Sequence, residues 1–273
     1  MKKDDFGNRM KEYENVSRYY LTRRLPVIVR IDGRSFHTFT KGFKKPFDDI
    51  LMQAMQKTAK YLCENIMGCK LAYTQSDEIS LLLIDYDTID SDAWFKNNLQ
   101  KIASVSASIA TMAFNFYFND LATQNIINWY KDASAEDTCE TPYYEKKNKM
   151  DNNLRIMPKM ATFDSRAFVL PKEEVCNYFI WRQKDCTRNS IQLVAHANFT
   201  YSEMQKKSCN QLQDMLFTQK NINWNDFSTS CKRGTCVVRE PLIEERGKWI
   251  IDNEIPIFST NRNYIEKYVF VGE

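Results

Sequence analysis

The sequence predicts an α+β fold: a ferredoxin-like split βαβ sheet with two helices on one face, followed by a mostly helical C-terminal part. Three observations predict it. Apolar and β-branched runs of strand length occur at Val27–Ile31, Leu71–Thr74, Ile79–Ile84 and Thr162–Leu170. Apolar residues at three- and four-residue steps fill the intervals ahead of the second and the fourth of these runs. Gly and Pro are scarce, 7 of each in 273 residues, which favours long elements over a β-sandwich with frequent turns.

Taken in order, the opening residues to about Leu25 form a helix carrying Met10, Tyr13, Val16 and Tyr20, with Pro26 as its stop. Val27–Ile31 is a central strand that ends in the turn Asp32-Gly33-Arg34-Ser35. A basic loop, Lys41–Pro46, leads to a helix over Phe47–Met67. Leu71–Thr74 and Ile79–Ile84 make a hairpin with Gln75-Ser76-Asp77-Glu78 as its polar tip. A helix over Ile102–Phe118 follows, then a polar, charge-mixed surface loop over Lys131–Lys159, then the strand Thr162–Leu170. The C-terminal third holds helices at Pro171–His196 and Ser202–Gln219, the second opened by a Ser202-x-x-Gln205 capping box, and a short strand at Gly234–Arg239.

Composition narrows the function classes. Lys plus Arg number 38 and Asp plus Glu 35, so the net charge of +3 argues against a nonspecific nucleic-acid binder, which needs a strongly basic face. The local clusters at Lys41–Lys45, Lys146–Lys149 and Lys232-Arg233 read as solvated surface. Eight cysteines without a CxxC pair, and only two histidines, His37 and His196, argue against structural zinc. The polar N-terminal stretch is no export signal, so reduced thiols and a cytoplasmic location are expected. The longest uncharged stretch, Ile102–Asn119, is interrupted by Ser, Thr and Asn, which suits a buried helix and not a membrane span.

The chemistry comes from two fragments. Asp32 follows the first strand in RIDGRSF, and Asp77, with Glu78 beside it, sits at the hairpin tip in QSDEIS. In a split βαβ sheet the first strand runs beside this hairpin, so its exit and the tip can meet. Two carboxylates at close range repel unless cations lie between them. Magnesium suits such a pair, because it takes one or two carboxylates and completes its shell with phosphate oxygens. Two such ions support an in-line displacement at phosphorus. Gly33 lets the backbone approach an ion or a phosphate. Taken alone, each fragment is equally a plain turn.

Together, Val29-Arg30-Ile31-Asp32-Gly33-Arg34-Ser35-Phe36-His37, Lys45-Pro46, Tyr73-Thr74-Gln75-Ser76-Asp77-Glu78, Phe163-Asp164-Ser165-Arg166 and Trp181-Arg182-Gln183-Lys184-Asp185-Cys186 resemble the tRNA-His guanylyltransferase family. Lys232-Arg233-Gly234-Thr235 continues the likeness more weakly. The resemblance implies a polymerase-palm core over residues 1–130, a surface insertion over 131–160 and a last palm strand with a helical region over 161–273, in one catalytic domain. It implies a nucleotidyltransferase that extends tRNA at the 5′ end in the 3′-to-5′ direction, with ATP activating a 5′-monophosphate and nucleoside triphosphates such as GTP as donors. By carry-over, Asp32, Gly33 and Asp77 hold two Mg2+ ions, the catalytic carboxylates being Asp32 and Asp77. Asp32, Gly33, Arg34, Ser35, Phe36, His37, Lys45, Ser76 and Asp77 surround the nucleotide. A homotetramer, built as a dimer of dimers, is implied as well.

One departure bears on the substrate. Eukaryotic members carry His-Ile-Asn-Asn where this chain has Thr187-Arg188-Asn189-Ser190. Loss of the histidine fits the guanylyltransferase-like branch, which repairs 5′-truncated tRNA by template-dependent addition. Arg188 and Asn189 are the candidate RNA contacts, although an exposed helical arginine needs no such role. His37 is a nucleotide contact or a packed loop histidine, and Lys101 a triphosphate contact or a solvated lysine. Trp181 is expected in the core, and Arg182, Gln183 and Asp185 in an interhelical polar network. A palm-fold nucleotidyl cyclase and a noncatalytic RNA-binding module are the competing readings.

Overall fold

The computed structural model describes residues 5–135, 159–240 and 247–271. Its centre is a six-stranded antiparallel sheet in the order β4-β1-β3-β2-β5-β6. The strands are β1 (Val27–Gly33), β2 (Cys69–Gln75), β3 (Glu78–Leu83), β4 (Phe163–Val169), β5 (Thr235–Glu240) and β6 (Lys248–Asp252). The helices are α1 (Asp5–Asn15), α2 (Phe36–Phe39), α3 (Asp49–Asn65), α4 (Leu99–Ala135), α5 (Lys172–His196), α6 (Tyr201–Met204), α7 (Cys209–Lys220), α8 (Thr229–Arg233) and α9 (Asn263–Glu266). The first four strands and α3 and α4 form the expected split βαβ unit, and β5 and β6 extend it beyond β2.

β1 shows why the sheet is central. Val27, Val29 and Ile31 point to one face, where they pack with Ala54, Met55 and Leu62 of α3 and Phe114 and Phe118 of α4. Ile28 points to the other, among Leu71, Leu82, Val175 and Phe179. The period-2 alternation of a strand thus feeds two cores at once. The expectation of helices on one face is therefore corrected. α5 and the segment around Phe258, Ile265 and Val269 cover the second face, making the sheet the middle of three layers.

Other boundaries move for local reasons. α1 ends ten residues before Leu25, because Tyr19–Leu21 instead bonds in extended form to Asn97–Leu99, with Leu21 N donating to Asn97 O at 2.9 Å. No α1 residue is buried, so its apolar steps face away from both cores. α3 starts where Asp48 caps it, its carboxylate accepting from Leu51 N at 3.0 Å. α4 continues 17 residues past Phe118, supported by the i,i+4 bond from Gln124 to Asp120 at 2.9 Å. The expected loop over 131–159 therefore begins inside a helix; its positions 136–158, including Cys139 and Lys146–Lys149, lie outside the described residues.

The single helix expected at Ser202–Gln219 is two. Thr200 and Glu203 form the capping box of α6, Lys206 turns left-handed at φ 60°, and Ser208 with Gln211 caps α7. The short edge strand β6 has no counterpart in the sequence reading. The seven cysteines among the described residues are all free thiols. No described helix is long and apolar enough to cross a membrane.

Candidate active site

The site lies where β1 ends. β1 and β3 pair with Asp32 opposite Glu78, and β1 and β4 pair with Asp32 opposite Asp164. The β2–β3 hairpin turns over two residues, Ser76 and Asp77, since Gln75 and Glu78 are already paired. The turn folds against the strand exit, with Gly33 N donating to Asp77 O at 3.0 Å. Two loop tips remote in sequence are thereby brought together. Each carries a non-glycine residue in left-handed backbone, Ser35 at φ 56° and Ser76 at φ 49°. Such conformations cost energy and persist where the surroundings over-determine them.

Asp32, Gly33, Ser35, Phe36, His37, Ser76 and Asp77 line one cavity of about 470 Å³, together with Thr40 and Leu51. Seven of the nine predicted nucleotide contacts therefore share a single space. The other two stand apart. Lys45 lines a neighbouring cavity of about 200 Å³, which also takes in Gln75, Cys186, Asn189, Ser190 and Cys231 and meets the first at Thr40, Leu51 and Ser76. Arg34 is exposed and lines neither; its backbone N–H is held by Thr162 O at 2.9 Å.

Gly33 has a steric reason for being glycine beside the expected one. A β-carbon there would lie 2.2 Å from the Phe36 ring. Phe36 is buried against Phe39, Phe114 and Phe163, so the ring cannot retreat cheaply. Phe36 thus anchors the loop in the aromatic core while forming part of the cavity wall. His37 is exposed at the cavity, not packed. The loop is closed from below by Lys159, whose ammonium donates to Phe39 O at 2.8 Å and Lys41 O at 2.7 Å. No local sequence signal points to that contact.

Electrostatics separate the two neighbouring acids of the hairpin, Asp77 and Glu78. Burial raises the Asp77 carboxyl above the usual aspartate range, and the charges of Asp32 and Glu78 raise it further; bonds from Ser76 and the backbone oppose this. Glu78 is also raised by burial, but Arg182 counters it with a bidentate pair at 2.8 Å and 2.8 Å. Neither Asp32 nor Asp77 forms an ion pair with any described residue.

The two acids lining the cavity, Asp32 and Asp77, offer oxygen donors, and His37 is the imidazole beside them. No group of three or more His, Cys, Asp and Glu among the described residues is arranged to hold a metal by itself. Two carboxylates without cationic partners, one of them raised by desolvation and by its neighbour, fit a hard divalent cation whose shell is completed by phosphate.

Other predicted residues fall elsewhere. Arg182 pairs with Glu78 of the sheet and Asp185 of its own helix, so the expected interhelical network is a helix-to-sheet one. Gln183 bonds Pro256 O and Phe258 N at 2.9 Å each. Arg188 is exposed and paired with Asp185. Trp181 is 54% exposed, with the Arg182 guanidinium 4.4 Å from its ring, and so is no core residue. Lys101 sits at the start of α4, its N–H donating to Asn98 Oδ1 at 3.0 Å and its ammonium 5.7 Å from the Phe95 ring. It lines neither of the two cavities.

The family profile of tRNAHis guanylyltransferase (Thg1) matches residues 7–171. A bacterial tRNA(His) guanylyltransferase-like protein solved in complex with ATP is similar over 98% of this chain and 100% of its own, at 46% identity and a TM-score of 0.80. A bacterial protein of the same description solved in complex with GTP gives 43% identity and a TM-score of 0.72, with the same coverage of both chains. The tRNA(His) guanylyltransferase of Debaryomyces hansenii is 29% identical over 227 residues, 78% of this chain and 73% of its own length.

Proposed function

The chain belongs to the tRNAHis guanylyltransferase family, and on that premise we propose that it extends the 5′ end of tRNA in the 3′-to-5′ direction, with template-dependent repair of 5′-truncated tRNA as its task. It is a tRNA guanylyltransferase-like nucleotidyltransferase. The observation that carries the finer reading is the meeting of Asp32 and Asp77 on facing loop tips in one cavity, both without cationic partners among the described residues. The Thr187-Arg188-Asn189-Ser190 sequence on α5 supports the repair branch, since the histidine of the eukaryotic enzymes is absent.

In this reading Asp32, the Gly33 carbonyl and Asp77 hold two magnesium ions, which when bound neutralise phosphate charge and polarise phosphorus toward displacement. The chain's own residues bind and orient. Ser35, Phe36, His37 and Ser76 enclose the triphosphate end of the nucleotide, and Lys45, in the adjoining cavity, meets its charge. Arg188 and Asn189 contact the RNA. In the first step a 5′-phosphate oxygen displaces pyrophosphate from ATP. In the second, the 3′-hydroxyl of a nucleoside triphosphate attacks the activated 5′ phosphorus, AMP leaves and a proton is released. Both steps gather negative charge at one point, so positioning and electrostatic stabilisation carry the rate. The working form is a cytoplasmic homotetramer, a dimer of dimers, in which residues 1–130 and 161–273 act as one catalytic unit.

The deciding experiment incubates the protein with labelled nucleotides, magnesium and tRNA lacking its first residue. Lengthened RNA that follows the template is the expected product. Cyclic mononucleotide formed without RNA, or RNA binding with no magnesium-dependent turnover, overturns the proposal.

A further inference from the structure

Asp164, opposite Asp32 on β4, is paired with Arg166 at 3.1 Å, and of Asp32, Asp77 and Glu78 only two are free to bind ions. Glu78 neighbours Asp77 in the chain and faces Asp32 in the β1–β3 register. Both its oxygens are taken by Arg182, from Nε and Nη2 at 2.8 Å each, and both side chains are buried. The guanidinium is itself fixed on its far side by Asp185 at 2.9 Å and across its face by Trp181. Asp185 in turn pairs with Arg188. Two acids and two guanidiniums therefore cancel, and Arg30 adds a further positive field at Glu78. A planar fork matched to a carboxylate leaves it little capacity for a metal.

We propose that Arg182 is a positioning residue of the nucleotidyl-transfer site: it withholds Glu78 from the ions, so that Asp32 and Asp77 alone set the charge presented to metal and triphosphate. The inference rests on the reading of those two aspartates as ion ligands. Its distinguishing consequence is non-additivity. Removing Glu78 alone leaves the Arg182 charge uncompensated beside the ions. Removing both charges together restores neutrality.

The test is Mn2+ binding to the full chain, followed by electron paramagnetic resonance, with thermal midpoints recorded for every variant. Glu78→Gln is expected to weaken Mn2+ binding about tenfold, by the unscreened repulsion of a nearby cation. Glu78→Gln combined with Arg182→Gln is expected to bind within about threefold of the unmodified protein, a residual well below one tenfold step. A double variant as weak as Asp77→Asn makes Glu78 a ligand and overturns the inference, as does a folded Glu78→Gln with unchanged affinity. Should Glu78→Gln not fold, the double variant decides alone, its wild-type-like affinity supporting the inference. Asp32→Asn and Asp77→Asn form the separate arm. If they bind Mn2+ undiminished, the ligand assignment itself fails and the role of Arg182 falls with it.

Discussion

The two ends of β1 handle acidic side chains in opposite ways. At its entry, Asp85 is 3% exposed and fully engaged: Arg23 Nε donates to it at 2.7 Å and Arg24 N at 2.9 Å. Asp92 holds the same Arg23 at 2.9 Å, and Lys70 pairs with Asp87 nearby. At the exit, Asp32 and Asp77 have no cationic partner among the described residues, although burial raises the Asp77 carboxyl. At the entry the guanidinium of Arg23 is bound to the buried acid, whereas at the exit the buried guanidinium of Arg182 is committed to Glu78 and pairs with neither Asp32 nor Asp77. A fold selected only for stability would treat both ends alike, because an uncompensated, half-buried carboxylate is a cost. The exit end tolerates that cost in exchange for a place where ions and phosphate can supply the missing charge.

The largest effect that tests this contrast is on turnover. Asp32→Ala and Asp77→Ala are each expected to lower nucleotide addition by about a hundred- to a thousandfold, the scale on which lost transition-state stabilisation appears. Their circular dichroism should stay that of the unmodified protein and neither should melt lower, since both side chains lie at the rim of the cavity and outside the cores. Full activity in either variant would show that the exit end is merely another surface.

The next effect runs the other way. Asp85→Asn keeps the shape but removes the charge that Arg23 and the Arg24 N–H address. It is expected to cost about 1–3 kcal/mol of stability, the usual penalty for spoiling a buried polar contact. Turnover per folded molecule should be unchanged. Denaturant titration against an activity assay on the same samples separates the two quantities. A loss of turnover without a loss of stability would erase the distinction between the ends.

Much of this contrast was legible in the sequence, for reasons of locality. Val27–Ile31 followed by Asp32-Gly33, and a hairpin pattern broken by Ser76-Asp77, each announce an element and its end within a few residues. The antiparallel register then has little freedom, so placing Asp32 beside the tip follows from topology. What escaped is non-local. Arg182 and Glu78 are 104 positions apart, and no periodicity links a helix in the last third to a hairpin in the first. The same holds for Lys159, which reaches back to Phe39 and Lys41. α5 was visible as a helix, but Val175 and Phe179 do not say which layer they cover. Val16 and Tyr20 keep a helical step beyond the end of α1, while tertiary bonds to Asn97–Leu99 pull the Tyr19–Leu21 stretch into extended form. At Gly33 the sequence suggests ligand approach, and the Phe36 ring, which fills the space of its β-carbon, adds a steric reason that no local pattern announces.

The smallest effect is the most specific to the unpaired end. In ion-free protein, Asp77→Asn should raise the thermal midpoint by a few degrees while abolishing nucleotide addition. The sign follows from the raised carboxyl of Asp77, which binds a proton more readily folded than unfolded. Its contribution to stability is thus fully present below the unfolded pKa and is lost as pH rises through the folded one. At neutral pH the ionised Asp77 therefore weakens the fold, and the amide relieves that. As pH falls from the folded pKa to the lower unfolded one the gap between variant and unmodified protein should close, because below both the carboxyl is neutral folded and unfolded alike. Saturating Mn2+ should close it from the other direction, by stabilising only the protein that retains the ligand. Melting curves across pH, with and without Mn2+, measure all three. A gap that ignores both pH and the ion would mean that Asp77 is held as contentedly as Asp85, and that the two ends of β1 do not differ in kind.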